Sequence, residues 1–528
     1  MFPVGGDMSN EGTGLDGAAP RMLGPRLRNR RGAVEVSLTN HVADLQLIRV
    51  GAVRVNGGEV PLEDIVLVPE EGAVWPGTHL SSQCPFPFER RQRVCLRVGI
   101  PPLEVGEHRV ELELECGVHG VIRADVTQVI EEPHPEADGR IPRALDDDFA
   151  EEVVHARQAH AEQWSGTRLN HVTRHSFAPS HARNACEHFT GVAQVPLGLA
   201  GPLIIQGEHA HGPYLIPLAT TEGAMVASYN RGIKLLNACG GARCTVLEDA
   251  MQRAPVFVFD DAKAGREFSR WLRANEAAIA EQAEATSHVA KMLRLETYQL
   301  HRFVFVRFNF ATGDAAGQNM VGKATFAALL WIREQYPHIR ASFLDGNVST
   351  DKKSSRLNIL QTRGKRVTAE VVVPKELLLS KMRTSVQQVV LLQRVSAEGS
   401  SLAGAHNNGC QSANALAALF IATGQDVAAL AESAAGDLYM DETPEGDLRA
   451  SITLPSLVLA THGGGTGLPT QRECLELMDC FGRGKVRRLA EIVAGVVLAG
   501  ELSLACAVAS ALGSEEWVTS HESLGRHH

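Results

Sequence analysis

Two short segments of this chain carry charged side chains that could assist a reaction at a carbonyl group. Residues 345–353 (Asp-Gly-Asn-Val-Ser-Thr-Asp-Lys-Lys) follow a predicted strand and are rich in turn-forming residues. A lysine beside acidic residues, as Lys352 is, could polarise a carbonyl oxygen, or could be an ordinary solvated charge on a loop. In residues 219–223 (Ala-Thr-Thr-Glu-Gly), Thr220 or Thr221 is predicted to cap a helix. Because a helix start favours a carboxylate, Glu222 needs no catalytic role to explain its position.

A third charged residue, Asp426, lies in Gly424-Gln425-Asp426, within Ala-rich text that predicts one long helix starting near Asn414. Apolar residues surround it in sequence, so its carboxylate must be either exposed or paired. A pair between this carboxylate and a lysine would mark a candidate functional site.

Two glycine-containing turns could bind an anion. Residues 312–320 (Thr-Gly-Asp-Ala-Ala-Gly-Gln-Asn-Met) lead from a predicted strand into a helix, and residues 462–467 (His-Gly-Gly-Gly-Thr-Gly) precede another helical stretch. Glycine allows a backbone to approach a phosphate closely, and helix N-termini attract anions. Neither turn has the Gly-x-Gly-x-x-Gly pattern of a Rossmann dinucleotide site, so each alone is a weak signal.

The pattern in the first quarter of the chain predicts an all-β, sandwich-like domain. Residues 1–32 are expected to be a disordered tail, residues 33–131 a β-rich accessory domain, and residues 132–140 a linker. Apolar residues alternate with period two at 34–38, 53–55, 94–98 and 110–114, and Gly, Pro and Asn separate these runs.

The remainder predicts an α+β catalytic region made of a large helical and mixed domain with an inserted small domain. Strands are expected at 256–259, 303–310 and 340–344, and helices at 262–285 and 317–336. This alternating order is typical of a ferredoxin-like fold, here placed at residues 256–344. The large domain would then comprise residues 141–255 and 345–510, and residues 511–528 would form a C-terminal flap.

Composition limits the partners and the compartment. The formal net charge of −10 argues against a nucleic acid or an acidic membrane as partner, since both require basic surface. None of the ten cysteines forms a Cys-x-x-Cys pair, so we expect no metal site and no disulfide framework, which fits a cytoplasmic location. The long apolar stretch 489–512 contains Glu491 and Glu501, which predicts a buried core helix rather than a membrane span.

The motifs gain meaning from their order along the chain. Thr-Thr-Glu-Gly, Gly-Asp-Ala-x-Gly-x-Asn-Met, Thr-Asp-Lys-Lys, Gly-Gln-Asp, Gly-Gly-Gly-Thr, Ala-Gly-Glu-Leu-Ser-Leu and a late Ser-His follow one another between residues 220 and 521. Together with residues 196–203 (Pro-Leu-Gly-Leu-Ala-Gly-Pro-Leu), this series resembles the hydroxymethylglutaryl-CoA (HMG-CoA) reductase family, in its eukaryotic-type class without the membrane anchor. The β-rich front domain is not part of that pattern and is similar to the small β subunit of bacterial C-glycoside-cleaving enzymes.

The resemblance implies an oxidoreductase that converts (S)-3-hydroxy-3-methylglutaryl-CoA to mevalonate, in isoprenoid biosynthesis, with NADPH and release of coenzyme A. It implies that Lys352 holds the substrate oxygen, Asp426 keeps Lys352 charged, Glu222 donates a proton, and His521 on the flap protonates the coenzyme A thiolate. Implied substrate-binding residues are Arg253, Lys353, Asp345, Asn414 and Ser520. Implied cofactor-binding residues are Asp314, Gly317, Asn319, Ser287, Gly463, Gly464, Gly465 and Thr466. Family sites lie between subunits, which implies a homodimer or a higher homo-oligomer.

Several positions depart from the family pattern. Asp345 replaces a usual Ser that helps to hold the substrate carboxylate, and an Asp there would repel an anion. Gln411 replaces a His, His188 an Asn, and Arg394 aligns with a Lys. His288 stands where the family has an Arg that meets the NADPH 2′-phosphate, so NADH stays possible. Two alternatives therefore stay open: a related reductase for another acyl-CoA, and a non-catalytic scaffold that retains the fold.

Overall fold

The chain divides into two compact units at the predicted linker. The structure, a computed structural model, describes residues 26–30, 33–40, 44–69, 74–89, 92–117, 120–130, 140–144 and 146–510. Its two units are Met1–Arg140 and Ile141–His528. The expected linker lies almost entirely outside the described residues, and the expected C-terminal flap lies wholly outside them.

The first unit contains two antiparallel sheets that enclose one apolar core. Its strands are β1 (Arg26–Arg30), β2 (Ala33–Thr39), β3 (Leu45–Val55), β4 (Gly58–Glu59), β5 (Ile65–Pro69), β6 (Trp75–Pro76), β7 (Phe86–Phe88), β8 (Arg93–Val98), β9 (Gly106–Cys116) and β10 (Gly120–Ile130). The sheet orders are β1-β2-β8-β5-β6 and β10-β9-β3-β4, and β7 pairs with β3. Alternating residues such as Val94, Leu96 and Val98 are buried, as period two requires.

The sandwich-like prediction is thus confirmed, with one correction at its start. Residues 26–30 were assigned to a disordered tail, but they form β1, which pairs with β2 from Arg26↔Ser37 to Arg30↔Ala33. Arginines and an asparagine interrupt the alternation there, and pairing with an existing strand supplies the stability that the segment's own pattern does not indicate.

The second unit is mixed α and β. Its strands are β11 (Leu197–Gly207), β12 (His211–Ala219), β13 (Ala242–Arg253), β14 (Val256–Val258), β15 (Lys291–Leu300), β16 (Phe303–Ala311), β17 (Ala341–Phe343), β18 (Gly364–Val373), β19 (Asp437–Glu442) and β20 (Leu448–Leu457). Its helices are α1 (Glu151–Ser165), α2 (Met225–Ala238), α3 (Ala262–Ala274), α4 (Glu276–Glu284), α5 (Gln318–Gln335), α6 (Arg356–Leu360), α7 (Lys375–Met382), α8 (Val386–Ala403), α9 (Ser412–Thr423), α10 (Leu430–Ser433), α11 (Pro469–Leu477) and α12 (Val486–Ala509).

The small domain has the ferredoxin-like arrangement that its element order predicted. Its chain order is β14-α3-α4-β15-β16-α5-β17, and its strands lie side by side as β17-β14-β16-β15, all antiparallel. The sequence prediction missed β15, whose Lys, Arg and Glu residues weaken the strand signal and whose position at the sheet edge leaves most of it partly exposed. β13 pairs with both β18 and β16, so one continuous strand joins the two domains.

The apolar helix α12 forms the centre of the second unit. It is the one described helix long and apolar enough to cross a membrane, and 72% of its most apolar window is buried inside the protein. Gly500 of α12 packs against the Tyr229 ring, and Gly232 of α2 faces the Ala499 carbonyl so closely that a Cβ would lie 1.8 Å from the oxygen. Small residues therefore let two helices approach closely, and the prediction of a core helix is confirmed.

Candidate active site

Lys352 and Asp426 form an ion pair although 74 positions separate them in the sequence. Lys352 Nζ lies 2.9 Å from Asp426 Oδ2, and the two side chains are 43% and 39% exposed. The hydrogen bond to Asp426 raises the pKa of the Lys352 ammonium, although partial burial opposes this effect. The pair therefore presents a lysine that stays cationic at a surface which a ligand can reach.

The Lys352 loop has a backbone that needs support from its surroundings. Asn347, Thr350 and Lys352 all have positive φ, at 67°, 57° and 55°. Residues other than glycine rarely adopt this region of backbone conformation. Each such residue costs on the order of 1–2 kcal/mol. Buried Asn358 supplies part of the support: its amide donates to the Thr350 and Lys353 carbonyls at 3.4 and 3.0 Å, and its carbonyl accepts from the Thr350 hydroxyl.

A buried ion pair that the sequence reasoning missed supplies the rest. The Lys352 backbone N–H donates to Glu432 Oε1 at 3.2 Å, and Arg363 Nε donates to the same oxygen at 3.1 Å. Arg363 Nη2 donates to Asp351 Oδ1 at 2.6 Å. The Arg363 and Glu432 side chains are 1% and 0% exposed. A charged residue amid Ala-rich text was the signal that singled out Asp426, and the same signal could have found Glu432.

Asp426 is placed by a turn and lies outside the helix in which it was predicted. α9 ends at Thr423, because Gly424 adopts φ +69° and terminates the helix. The Gln425 side chain then bonds Ala460 twice, donating to its carbonyl at 2.9 Å and accepting from its N–H at 2.7 Å. A Cβ on Gly424 would lie 2.2 Å from the Gly465 carbonyl oxygen, so the Gly-Gln-Asp turn packs directly on the glycine loop.

Glu222 also lies outside a helix, which corrects the predicted threonine cap. α2 starts at Met225 with Ala224 at its N-cap, and Thr220 Oγ1 accepts the Glu222 N–H at 3.0 Å instead. The exposed Glu222 carboxylate accepts from Asn414 Nδ2 at 3.3 Å. The same amide lies 3.4 Å from Gln411 Oε1. The structure thus brings Glu222 and Asn414 together.

Two of the implied acyl-binding residues pair with each other. Arg253 Nη1 lies 2.9 Å from Asp345 Oδ2, with side chains 20% and 26% exposed. Asp345 also accepts the Ser349 hydroxyl at 2.7 Å and the Asn347 N–H at 2.7 Å. The charge that Asp345 adds is therefore largely neutralised within the protein. Lys353, by contrast, is exposed, and its ammonium donates to the Asp351 carbonyl at 3.1 Å.

Of the implied cofactor residues, Asp314 has a structural task. Its carboxylate accepts the N–H groups of Gly484, Lys485 and Val486 at 2.7, 3.0 and 3.2 Å, and so caps the start of α12. Gly317, with φ +82°, precedes α5, and a Cβ there would collide with Thr312. This packing explains why Gly317 must be glycine.

The other implied cofactor residues differ in their surroundings. Asn319 is exposed in the first turn of α5. Ser287 Oγ accepts the N–H groups of Val289 and Ala290, which stabilises the turn before β15. Gly463 and Gly464 have φ +85° and +57°, and a Cβ on either would meet no atom within 4 Å. The backbone is therefore open to a ligand at these two glycines, while buried Thr466 closes the loop by donating to the Gly463 carbonyl at 2.7 Å. Ser520 and His521 lie outside the described residues.

Helix α12 supports the site from behind through Glu501. Its buried carboxylate accepts the N–H groups of Cys410, Gln411 and Ser412 at 2.8, 2.9 and 2.9 Å, and also the Ser412 hydroxyl at 2.9 Å. These bonds satisfy the free donors at the start of α9, the helix that carries Asn414. The Ala-Gly-Glu-Leu motif thus serves packing and capping.

Sequence comparisons match both units of the chain. A family model described as hydroxymethylglutaryl-coenzyme A reductase matches residues 153–526. A second, described as the hydroxymethylglutaryl-CoA reductase N-terminal domain, matches residues 25–131. The expectation that the front domain lies outside the family pattern was therefore wrong. Short alternating strands are common to many sandwiches, so their pattern does not identify a family.

Individual relatives agree with the family models. The chain is 41% identical over 380 residues to the 3-hydroxy-3-methylglutaryl-coenzyme A reductase of Pyrococcus abyssi, covering 70% of this chain and 92% of that protein. The enzyme of that name from Methanothermobacter thermautotrophicus is 41% identical, with 71% and 94% covered. The Strongylocentrotus purpuratus reductase is 39% identical over 348 residues, which cover 64% of this chain and 36% of that protein.

A solved structure shares the fold. The NADPH-bound class II reductase of Streptococcus pneumoniae, in open conformations, superposes with a TM-score of 0.52 and 19% identity, covering 68% of this chain and 97% of that one. The family model over residues 153–526 and the archaeal relatives carry the assignment beyond the fold. The chain belongs to the hydroxymethylglutaryl-coenzyme A reductase family.

Proposed function

We propose that this protein reduces (S)-3-hydroxy-3-methylglutaryl-CoA to mevalonate, with release of coenzyme A and with NADPH as the reductant. Family membership supports the reaction, and the curated relatives carry the name of this enzyme. The observation that carries the proposal is the ion pair between Lys352 and Asp426, 2.9 Å long and open to solvent. A charged donor held in place is what a developing oxyanion requires.

Each charged residue of the site has a definable task in this reaction. Lys352 Nζ donates to the thioester oxygen, and later to the aldehyde oxygen, as negative charge develops there. Asp426 keeps that ammonium protonated and oriented, since it raises its pKa. Glu222, whose side chain Asn414 orients, donates a proton from its protonated carboxyl form at the aldehyde stage. His521 would protonate the departing thiolate, a task that suits a group with a pKa near neutrality.

The described glycine loops fit a dinucleotide. Gly463 and Gly464 leave open backbone beside the catalytic turn, and Gly317 starts α5, whose N-terminus favours a phosphate. Two NADPH molecules bound there in succession would each supply one of the two hydrides that the four-electron reduction needs. Ser287 and the exposed His288 would lie toward the 2′-phosphate of NADPH. Because His288 stands where the family has an arginine, the preference for NADPH over NADH is expected to be weaker than with arginine there.

A second candidate substrate follows from one observation. Because Asp345 pairs with Arg253, the guanidinium that would meet a substrate carboxylate already has an anionic partner at 2.9 Å. A reductase with this pocket would accept an acyl-CoA whose acyl group lacks the second carboxylate. Steady-state rates with HMG-CoA and with a panel of acyl-CoA thioesters that lack the free carboxylate separate the two substrate classes. Only the natural class should saturate the enzyme at micromolar concentration.

The class within the family is also a proposal. The chain spans 92% and 94% of the two archaeal reductases but 36% of the sea-urchin protein. We therefore place the catalytic unit with the archaeal type, in place of the expected eukaryotic-type class without its anchor.

A cytoplasmic location is also proposed, and it fits the ten free cysteines.

A homodimer or higher homo-oligomer is proposed from an apolar face on α8. Leu391, Val395 and Leu402 are 60%, 60% and 92% exposed. Their spacing puts them on one side of the helix, and such a stripe is typical of a surface that another subunit covers. Light scattering of the purified chain tests this, and a monomeric mass at micromolar concentration would contradict it.

The decisive test is turnover. Purified protein is mixed with HMG-CoA and either NADPH or NADH, and the loss of cofactor absorbance is followed beside the variant Lys352→Ala. We expect two cofactors oxidised per coenzyme A released, and no turnover by the variant. Cofactor binding without turnover of HMG-CoA would favour another acyl-CoA, and failure to bind either cofactor would favour the scaffold alternative.

A further inference from the structure

Lys352 is held at both ends by one short segment of the chain. Asp426 contacts its ammonium at 2.9 Å, and Glu432, six residues later, accepts its backbone N–H at 3.2 Å. Glu432 lies in α10, which directly follows the short 3-10 helix Val427–Ala429 that Asp426 caps. Two consecutive short helices therefore contact both the backbone and the charged end of Lys352.

The hold on the backbone is needed because the loop adopts an unfavourable conformation. Lys352 and Thr350 both have positive φ. A left-handed conformation of this kind persists only where surrounding contacts over-determine it. Glu432 is fully buried, so its bond to the Lys352 N–H does not compete with water.

Arg363 makes the arrangement a clamp. Its guanidinium bonds Glu432 through Nε at 3.1 Å and Asp351 through Nη2 at 2.6 Å, and Nη1 donates to the Gln252 carbonyl at 3.2 Å. Two adjacent residues of the loop are thus held by this buried ion pair: Asp351 contacts the Arg363 guanidinium, and Lys352 contacts the Glu432 carboxylate. Burial raises the pKa of the Glu432 carboxyl, and Arg363 opposes this effect by favouring its charged form.

We propose that Glu432 is a positioning residue for the reduction, which acts by fixing the Lys352 backbone so that Nζ lies where the substrate oxygen is polarised. The inference rests on the proposed function of Lys352. Its essential atom is Oε1, which accepts both the Lys352 N–H and Arg363 Nε, whereas Oε2 is buried without a hydrogen-bond partner among the described residues.

Because only one oxygen is used, two substitutions at Glu432 can separate the reach of its side chain to the Lys352 N–H from its negative charge. Glu432→Gln keeps an oxygen at Oε1, and its new NH₂ group would occupy the Oε2 position, where no hydrogen bond is lost. Glu432→Asp keeps the charge for Arg363 but is one methylene shorter, so it cannot reach the Lys352 N–H without movement of the backbone. A role limited to balancing the Arg363 charge predicts that Asp is tolerated and Gln is not. Positioning predicts the reverse.

The experiment compares the full-length wild type with these two variants. We expect kcat of Glu432→Asp to fall about 100-fold, the effect of displacing a catalytic group by about 1 Å. For Glu432→Gln we expect a loss of about tenfold or less, as for one weakened hydrogen bond. The KM values for both substrates should change little, because the proposed loss is confined to the transition state. An active Asp variant, or a Gln variant as impaired as Asp, would overturn the proposal.

A second readout does not depend on turnover. Hydrogen exchange of peptides that cover residues 345–360 should be faster in Glu432→Asp than in the wild type and nearly unchanged in Glu432→Gln. Equal exchange in all three proteins would also overturn the proposal. A wild type that exchanges slowly in this loop but does not reduce HMG-CoA would count against the proposed function alone.

Discussion

The Glu501 carboxylate is expected to carry a measurable part of the stability of the catalytic unit. Its Oε1 accepts the Gln411 and Ser412 N–H groups and the Ser412 hydroxyl, each at 2.9 Å, and its Oε2 accepts the Cys410 N–H at 2.8 Å. In Glu501→Gln, the amide oxygen can replace only one of the two carboxylate oxygens. The NH₂ group then faces a donor, which leaves the Cys410 N–H unsatisfied.

The magnitude follows from these four bonds. Cys410 is exposed and its N–H is only partly buried, so leaving that N–H unsatisfied costs about 1 kcal/mol, the lower end of the range for such groups. Each of the three remaining bonds loses roughly 0.5–1 kcal/mol when its acceptor becomes neutral. We therefore expect Glu501→Gln to lower the free energy of unfolding by about 2.5–4 kcal/mol. In a unit of this size, whose unfolding entropy is roughly 0.8 kcal/mol/K, that corresponds to a fall in the thermal midpoint of roughly 3–5 °C. Looser capping of α9 should also lower kcat, because Asn414 lies in the first turn of that helix and the turn that carries Asp426 follows its end.

The matched control is Glu491, ten residues earlier on the same helix. Its buried carboxylate accepts the N–H groups of Glu208, His209 and Ala210 at 3.1, 2.9 and 2.6 Å, in a turn away from the catalytic residues. Glu491→Gln should lower the midpoint by a similar amount and leave kcat within about twofold at temperatures well below both midpoints. Thermal unfolding and steady-state kinetics of both variants provide the assay. A wild-type midpoint for Glu501→Gln, or equal losses of kcat in both variants, would refute the reasoning.

Three further substitutions test the site itself. Asp426→Asn should lower kcat by about 100-fold. Because it removes the group that raises the pKa of Lys352, kcat should also begin to fall at a lower alkaline pH than in the wild type. An alkaline limb of the pH profile at the wild-type position would contradict this. Asp345→Ser should lower the KM for HMG-CoA by about tenfold, because it frees Arg253 from its carboxylate partner, and an unchanged or higher KM would show that the ion pair does not oppose substrate binding. Gly424→Ala combines a positive φ with a backbone collision, so it should raise the KM for NADPH and destabilise the protein by more than about 1 kcal/mol, as kinetics and thermal unfolding would reveal.

Local pattern predicted much of the fold, and motif order singled out Lys352 and Asp426, which the structure pairs. Alternation at 94–98 and 110–114 predicted strands that the structure contains within β8 and β9. The order of strands and helices from Val256 onward predicted the ferredoxin-like domain even though β15 was missed. These predictions succeeded because periodicity reports which face of an element is buried, a property that each segment carries by itself.

The contacts that make the site work were decided by tertiary structure. Lys352 meets Glu432 across 80 positions, and Arg363 reaches Gln252 across 111, so no local window could relate them. The pairing of Arg253 with Asp345 likewise requires β14, which follows Arg253, to pair with β17, which precedes Asp345.

The sequence by itself therefore determined most of the elements, the order of the motifs and the family, since these depend on local periodicity and residue type. Only the tertiary structure decided which buried charge compensates which, because a charge in the interior is tolerated only where a partner from another part of the chain lies within hydrogen-bonding distance.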